Sequence, residues 1–339
     1  MRVMSRRGFC QLASVAAWTS AGCRRCSDEA PRKSAVAVLK AGSYSADLSG
    51  TLLRGAEICG LEVKGKRVLL KPNLVEFDAG HAINTDAAVL AAAVELFERL
   101  GAEVIIGEGP GHRRDTLHLA EEAAYRKLIP RFEERFVDLN LDDVAPVEGF
   151  CGGRIYLPAT ALGADLVVSI PKMKTHHWVG ATLAMKNLFG LVPGAVYGWP
   201  KNRLHYLGIH RAVAGLQRIF RRTFAIVDGI VGMEGNGPIQ GAAKPCGVLV
   251  MGADLVAVDA TCCRIMGIEP RRISYMRRVA DLGQMEVGAI EQRGEEPTAV
   301  WTDFQLTEQF RHLRLAAREN SAPGPEGLPA EAEGNSKSS

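Results

Sequence analysis

The sequence lacks the features that mark several large classes of protein. No apolar run approaches the roughly 20 residues that a membrane-spanning helix requires, and the formal net charge of the 339 residues is only +3. So small a charge predicts no nucleic-acid partner, because domains that bind DNA or RNA carry a strong basic patch. Hydrophobic residues make up 47% of the chain and charged residues 23%, which is typical of an ordinary globular protein.

The eight cysteines also lack the spacing of a metal or cluster site. Cys23 and Cys26 form a single C-x-x-C, and Cys262 and Cys263 are adjacent. Neither pair is accompanied by a second pair of ligands at the spacing of a zinc or iron–sulfur site. The sequence therefore disfavours an iron–sulfur cluster and leaves the identity of any cofactor open.

Residues 1–30 have the pattern of an export signal. The run Ser5–Phe9 reads S-R-R-G-F, which matches the twin-arginine pattern, and an apolar segment from Leu12 to Ala21 follows it. That segment suits a signal peptide but is short for a membrane span. We expect export by the twin-arginine machinery to the periplasm, with any membrane attachment made only through the signal or a lipid anchor.

A lipoprotein cleavage site is one alternative for the end of this signal. Gly22 precedes Cys23, as a small residue does at such sites. Ser20 stands where a leucine is usual, and Arg24 and Arg25 follow directly. Both alternatives stay open, a free periplasmic protein and a membrane-anchored lipoprotein.

Beyond this segment the sequence alternates between buried strands and amphipathic helices. Short apolar runs predict strands at Ala35–Leu39, Arg67–Leu70, Glu103–Ile106, Leu166–Ile170, Thr223–Val227 and Val248–Met251. The alternation predicts an α/β fold with a mostly parallel, doubly wound sheet and helices on both faces. We expect this domain to cover residues 35–283, followed by a strand and helix extension over 284–318 and a disordered tail over 319–339.

Several local features of the helices are also predicted. Amphipathic spacing favours helices over His118–Arg135 and Arg271–Leu282. Thr85 is expected to cap the helix that starts near Asp86. Asp259 lies on an otherwise apolar helix, so its carboxyl group should have a buried partner.

Polar residues cluster where the predicted strands end. The strand Leu166–Ile170 stops at Pro171, which has no N–H to donate, and a dense polar cluster follows: Lys172, Lys174, Thr175, His176 and His177. In open α/β sheets ligands bind outside the carboxyl ends of the strands. The sequence therefore predicts a cationic ligand pocket at this edge.

The same layout recurs after other strands and completes the predicted site. The residues expected to bind the ligand are Lys71, Asn73, Thr85, Asp86, Glu108, Lys186, Asn187, His205 and Asn236. The catalytic candidates are Lys172, Lys174, His176 and Glu234. A lysine near other lysines has its charged form disfavoured, so one of them would act as a base near neutral pH.

A divalent cation is a further expectation of the sequence. Asp228 ends the strand Thr223–Val227, and Glu234 lies in the glycine-rich loop beyond it. Their carboxylates would hold a hard cation through oxygen. His176 or His205 would join them if the ion were a transition metal.

The order of these motifs resembles the family known as domain of unknown function 362. The motifs are KPNLV, NTD, GEGPG, IPKMKTH, AMKNLFG and VDGIVGMEGNGP, within a region from Ala35 to Gly283. The resemblance implies an α/β core in which the six motifs share one site. Some members carry a ferredoxin-like module with cysteine clusters, and the absence of such a module here argues against carrying a cluster over.

Three functions remain as alternatives at this point. The first is an exported enzyme acting on a small anionic metabolite, a carboxylate or a phosphate, with or without metal assistance. The second is a periplasmic binding or cofactor-assembly protein without turnover, and the third, disfavoured, is an iron–sulfur redox protein. For Lys172→Ala and Lys174→Ala, we expect loss of ligand binding with the melting temperature nearly unchanged.

Overall fold

The computed structural model describes residues 33–112 and 115–316 of the chain. The predicted signal over residues 1–30, the lipidation alternative at Cys23 and the predicted disordered tail over 319–339 lie outside the described residues. Within them, no helix has both the length and the apolar character to cross a bilayer.

Twelve strands are found in the described part of the chain. They are β1 (Ser34–Lys40), β2 (Arg67–Pro72), β3 (Glu103–Glu108), β4 (Phe136–Asp138), β5 (Val144–Phe150), β6 (Gly153–Pro158), β7 (Leu166–Ile170), β8 (Lys172–His176), β9 (Gly180–Thr182), β10 (Thr223–Glu234), β11 (Ala242–Gly252) and β12 (Ile290–Gly294). Ten of them form one sheet, and β5 and β6 pair with each other as a separate hairpin.

The large sheet has the order β12-β1-β11-β10-β7-β2-β3-β4. The run from β10 through β7, β2 and β3 to β4 is parallel throughout. The antiparallel pairings are those of β11, which lies between β10 and β1, and of β9 with β8. The fold is therefore the mostly parallel α/β sheet that the sequence predicts.

The helices connect the strands and cover the sheet. They are α1 (Leu48–Ile58), α2 (Ala87–Arg99), α3 (Thr116–Glu122), α4 (Tyr125–Leu128), α5 (Phe132–Arg135), α6 (Ala159–Leu162), α7 (Ala184–Asn187), α8 (Gly194–Tyr197), α9 (Asn202–Tyr206), α10 (Ile209–Ile219), α11 (Leu255–Ile265) and α12 (Ser274–Arg277). Short 3-10 turns occupy Leu188–Leu191, Pro270–Arg272, Val287–Ala289 and Glu308–Leu313.

Two hydrophobic clusters lie on opposite faces of the sheet. One contains the apolar residues of α1 and α2, and the other those of α7, α10 and α11. Side chains alternate between the faces along each strand. In β2, for example, Leu69 belongs to one cluster and Val68 and Leu70 to the other. Helices on both faces follow from strands that are apolar on both sides, as predicted.

Two predicted helices are shorter in the structure. The region His118–Arg135 is divided among α3, α4 and α5, with Ala124 and Arg131 in the left-handed region between them. Pro130 adds a break because it has no N–H to donate. The expected helix over Arg271–Leu282 is only α12, preceded by a 3-10 turn. Amphipathic spacing predicted helical structure in both regions but not the breaks.

The extension over residues 284–318 is part of the main structure as far as residue 316. Its strand β12 pairs in parallel with β1 at the edge of the large sheet. Phe304 and Leu313 are buried in the hydrophobic cluster that contains α11. The described part of the extension therefore completes the core of the domain.

Candidate functional site

A cavity of about 560 Å³ lies at the carboxyl ends of the parallel strands. Lys71 belongs to the end of β2, Glu108 ends β3, and Lys174 and His176 belong to β8, which follows β7. Because β2, β3 and β7 run parallel, residues that follow them meet at one edge of the sheet.

Most of the residues predicted for the site line this cavity. They are Lys71, Asn73, Glu108, Lys174, His176, Lys186, Asn187, His205 and Asn236. Lys201, His112 and His177 line it as well. The predicted residues Thr85, Asp86, Lys172, Asp228 and Glu234 are not among the residues that line it.

Lys71 and Glu108 form a buried ion pair in the cavity wall. Lys71 Nζ lies 2.5 Å from Glu108 Oε2, and both side chains are 1% exposed. Backbone nitrogens of Leu74 and Gly109 donate to the same carboxylate. Burial lowers the pKa of Lys71, and the charge of Glu108 opposes that effect.

Gly190 allows the chain to pass close to this ion pair. A Cβ atom at position 190 would collide with the Glu108 carboxylate and with the Lys71 ammonium group. A glycine is therefore required where the turn Leu188–Leu191 covers the pair.

Asn187 and Asp259 hold the short helix α7 against the sheet. The Asn187 side chain accepts from Lys71 Nζ at 3.1 Å and donates to the Lys71 carbonyl at 3.1 Å. The buried carboxyl group of Asp259 accepts from the backbone nitrogens of Ala184 at 2.7 Å and Met185 at 3.1 Å. These N–H groups are the buried partner that the sequence requires for Asp259.

Lys186 projects from α7 into the cavity beside Phe189. Its Nζ lies 4.4 Å above the centre of the Phe189 ring. Within residues 33–112 and 115–316, no hydrogen bond or ion pair to Lys186 Nζ is found. Burial, followed by the charge of Lys71, lowers the pKa of Lys186 to about 8.

Two further lysines are bound only by neutral carbonyl oxygens. Lys174 Nζ donates to the carbonyls of Ile83 at 2.7 Å and Pro238 at 3.1 Å. Lys201 Nζ donates to the carbonyl of Gly109 at 2.5 Å and to two carbonyls of the Leu188–Leu191 turn. Burial lowers the pKa of Lys201 to about 7 and that of Lys174 well below its usual value.

Lys201 is a site residue that the sequence analysis missed. It lies in a segment rich in Gly, Pro, Tyr and Trp, where a lysine is normally solvated, yet it is 1% exposed. Its backbone is in the left-handed region, with φ of 67°. The lysine follows Pro200 as Lys172 follows Pro171, and this was the only related signal in the sequence.

The imidazole rings differ in the nitrogen that they present. His176 Nδ1 accepts from the backbone nitrogen of Trp178 at 3.0 Å, so its proton is on Nε2 when the ring is neutral. His177 Nδ1 lies 2.6 Å from the Gly237 carbonyl, and His205 Nδ1 lies 3.2 Å from the Lys201 carbonyl. A carbonyl only accepts, so these two rings carry the proton on Nδ1 and leave Nε2 as a proton acceptor.

Burial and nearby cations keep two of these rings neutral. The pKa of His176 is lowered well below its usual value by burial and then by the charge of Lys186. Burial and Lys186 also lower the pKa of His205. At neutral pH the cavity therefore contains uncharged imidazoles beside its lysines.

Lys172 and Asp228 form a second buried ion pair, away from the lining of the cavity. Lys172 Nζ lies 2.6 Å from Asp228 Oδ2, and Tyr44 bonds to both side chains. Removing Lys172 would leave a buried carboxylate without its cation, which is costly. The expectation that Lys172→Ala leaves stability nearly unchanged does not fit this environment.

Thr85 and Asp86 do not line the cavity, but their hydrogen bonds stabilise the neighbouring strands and helix. Thr85 Oγ1 donates to the Ile170 carbonyl at 2.5 Å and accepts from Asn73 N at 2.8 Å, so it joins the ends of β7 and β2. Asp86, and not Thr85 as expected, caps α2 by accepting from Ala88 N at 2.9 Å. The Thr85 hydroxyl does not cap α2 because it is already bonded to the ends of two strands.

The predicted carboxylate pair for a metal is not brought together. Asp228 pairs with Lys172, whereas Glu234 lies 3.0 Å from Lys244 Nζ and accepts from Gln305 N. Both belong to β10, but each carboxylate is already bonded to a different lysine. In the part of the chain that the structure describes, no group of three or more His, Cys, Asp or Glu residues is placed to hold a metal ion.

The family model described as a domain of unknown function, DUF362, matches residues 68–264. The chain belongs to this family. The match includes every predicted site residue from Lys71 to Asn236 and also Lys201 and Asp259.

Two known proteins are similar to this chain over much of its length. The "Thylakoid-associated protein sll1697" of Synechocystis sp. is 31% identical over 287 residues, which cover 79% of this chain and 80% of that protein. The lactate racemase apoprotein from Thermoanaerobacterium thermosaccharolyticum is 14% identical, with a TM-score of 0.45. The match covers 70% of this chain and 58% of that protein, so the chain corresponds to a little over half of its length.

Proposed function

We propose that this protein is an enzyme that binds a small-molecule anion, a carboxylate or a phosphate, in the cavity at the carboxyl ends of the strands. The observation that carries the proposal is the ammonium group of Lys186, which enters the cavity without a hydrogen-bonding partner among the described residues. Four lysines line the cavity, against the single carboxylate of Glu108. An anion would supply the missing negative charge.

Two buried polar side chains in the same lining support a bound ligand. Asn73 is 7% exposed and Thr182 is 4% exposed. Asn73 Oδ1 and Thr182 Oγ1 have no hydrogen-bond partner among the described residues. Buried polar atoms are normally paired, because leaving one unpaired costs about 1–3 kcal/mol. A polar ligand that reorients these side chains would remove the cost.

Proton transfer is the chemistry that this lining favours. His177 and His205 offer an unprotonated Nε2 in their neutral forms, and His176 offers an N–H. The lysines with a lowered pKa, Lys186 and Lys201, change charge near neutral pH. Acids and bases with such values are the ones that transfer protons efficiently. This supports the proposal of an enzyme over that of a binding protein, which needs only donors around its ligand.

A metal-assisted form of the reaction has less support, because the described residues assemble no group of three or more side chains that could hold a metal ion. Single imidazoles of the lining, such as His177, would be the remaining ligands. Elemental analysis of the protein purified without chelators tests this form. Metal that stays bound to the wild type and is lost from His177→Gln supports it, and metal-free protein that still turns over a substrate contradicts it.

Calorimetric titration with phosphate and short mono- and dicarboxylates tests the anion site. Lys186→Met should lose binding, whereas Lys244→Met, which removes a lysine outside the cavity, should keep it. Equal affinity of the wild type and Lys186→Met would contradict the proposal. Mass spectrometry of the bound compounds then decides between the functions, because binding without conversion of any compound would indicate a binding or cofactor-assembly protein.

We further propose that the protein is exported by the twin-arginine route. The support is the Ser5–Phe9 motif and the apolar segment that follows it. Replacing Arg6 and Arg7 by lysine should leave the precursor in the cytoplasm, and export of that variant would contradict the proposal. Mass spectrometry of the mature N-terminus, with Cys23→Ala as the control, distinguishes a lipidated protein from a free one.

A further inference from the structure

Aromatic rings form a continuous series from the charged part of the cavity to its exposed rim. Lys186 Nζ lies above the Phe189 ring, and the centres of the Phe189 and His205 rings are 5.2 Å apart. The His205 ring is 5.0 Å from Trp178, with its plane at 75° to the indole. The centre of the His177 ring is 5.1 Å from that of Trp178, and its plane is also at 75° to the indole.

Trp178 differs from the other rings of this series because about half of it is exposed. Its side chain is 53% exposed, although a tryptophan gains more free energy from burial than most residues. Its backbone nitrogen is fixed by the bond to His176 Nδ1, and two histidine rings hold the indole edge-on. A large apolar surface is therefore held in place at the cavity, and the described residues leave about half of it exposed.

The cavity is also larger than the smallest acids require, and part of its lining is apolar. An acid of three or four carbons fills about the space of five waters, about 150 Å³ at about 30 Å³ per water. The cavity measures about 560 Å³, and its lining includes Leu74, Val75, Phe189, Pro200 and Ile239. Cavities of this size and composition hold ligands with a substantial apolar body.

We propose that the ligand is an acid with a flat aromatic or heterocyclic body, whose acid group binds at Lys186 and whose ring system lies against Trp178. The proposal rests on the anion site proposed above and adds the class of compound that it accepts. Trp178 would contribute by stacking, which tolerates many ring systems, and the lysines would contribute the charge. Carboxylates and phosphate esters both carry the negative charge that the lysines would bind.

The test compares each acid group with and without a ring. Methyl phosphate is compared with 1-naphthyl phosphate, and acetate with 1-naphthoate, by calorimetric titration of the full chain. The naphthyl compounds should bind about tenfold more tightly or better, the increment that one stacked ring supplies. Comparison of methyl phosphate with acetate, and of 1-naphthyl phosphate with 1-naphthoate, shows which acid group the site prefers.

Variants assign the effect to Trp178. Trp178→Ala should remove most of the preference for the naphthyl compounds, measured as the ratio of naphthyl to methyl affinity within each variant, and Trp178→Phe should restore part of that ratio. Trp301→Ala is the matched control, because Trp301 is 55% exposed and is not among the residues that line the cavity. Circular dichroism checks that each variant is folded.

Three outcomes would count against the proposal in distinguishable ways. If methyl and naphthyl compounds bind equally, the aromatic body is wrong while the anion site stands. If the preference survives in Trp178→Ala, the ring does not lie on Trp178 and the assignment is wrong. If neither compound binds the wild type, the anion site itself fails and this proposal fails with it.

Discussion

Asp259 holds the backbone of Ala184 at 2.7 Å through Oδ1, although the two residues are 75 positions apart in the chain. The bond fixes the start of α7, the four-residue helix that carries Lys186 and Asn187 into the cavity. A helix of this length is not stable by itself, so its position depends on such tertiary bonds. Asp259 is thus a positioning residue for a site that it does not line.

The pH dependence of stability should reveal Asp259. Burial raises the pKa of its carboxyl group to about 8, from an ordinary value near 3.8. Between these two values the folded state binds a proton that the unfolded state does not, so the free energy of unfolding falls as the pH rises. The slope from this group is at most about 1.4 kcal/mol per pH unit. Urea unfolding between pH 5 and pH 8 should show a smaller slope in Asp259→Asn than in the wild type, and equal slopes would show that the carboxyl group titrates normally.

Lys172→Met should lower the free energy of unfolding by about 3–5 kcal/mol, because Asp228 would be left buried without its cation. Urea unfolding measures the loss, and Lys244→Met, at a partly exposed ion pair, should lose much less. Lys172→Met combined with Asp228→Leu should recover part of the stability. A small loss in Lys172→Met alone would mean that the pair is not the buried pair described above.

Gly190→Ala tests the packing over the Lys71–Glu108 pair. The added methyl group would collide with both charged groups, so we expect a loss of about 1–3 kcal/mol in stability and a marked loss of anion affinity. Gly42→Ala is the control, since a Cβ atom there meets nothing within 4 Å. Thermal unfolding and calorimetry of both variants check the prediction, and a Gly190→Ala protein indistinguishable from Gly42→Ala would refute it.

Anion affinity should fall as the pH rises from about 7 to about 9. In the free protein the pKa of Lys201 is about 7 and that of Lys186 about 8. A bound anion raises both values, so the complex holds more protons than its separated parts and higher pH weakens binding. Titrations with sulfate, whose charge is constant over this range, measure the effect. Lys201→Met should flatten the dependence, and an affinity that rises with pH would contradict the sign.

The sequence contained enough information to predict which residues meet at one edge of the sheet but not to divide roles among the lysines. The carboxyl ends of parallel strands lie at one edge of a sheet, whatever the loops between them do. Lys71, Glu108 and Lys174 could therefore be predicted to lie close together. Lys172 and Lys174 look equivalent in sequence, two positions apart on one strand. They separate because the pairing of β8 with β10 shifts between them, where Lys172 lies opposite Asp228 and Lys174 opposite Met233.

Lys201 and Asp259 show which buried charged residues can be recognised from sequence and which cannot. Asp259 could be recognised because a carboxyl group among apolar helix residues must have a partner, whichever one it is. Lys201 could not, because its burial depends on how the loop returns over Gly109 and the Leu188–Leu191 turn. No local pattern encodes that return.

The most direct measurement is a crystal structure of the full chain grown with tungstate, whose anomalous scattering locates the anion. We expect anomalous density in the cavity at a hydrogen-bonding distance of about 3 Å from Lys186 Nζ. We expect no such density in Lys186→Met. Density found only elsewhere, such as the surface cleft lined by Arg211, Arg218 and Arg278, would contradict the proposed anion site.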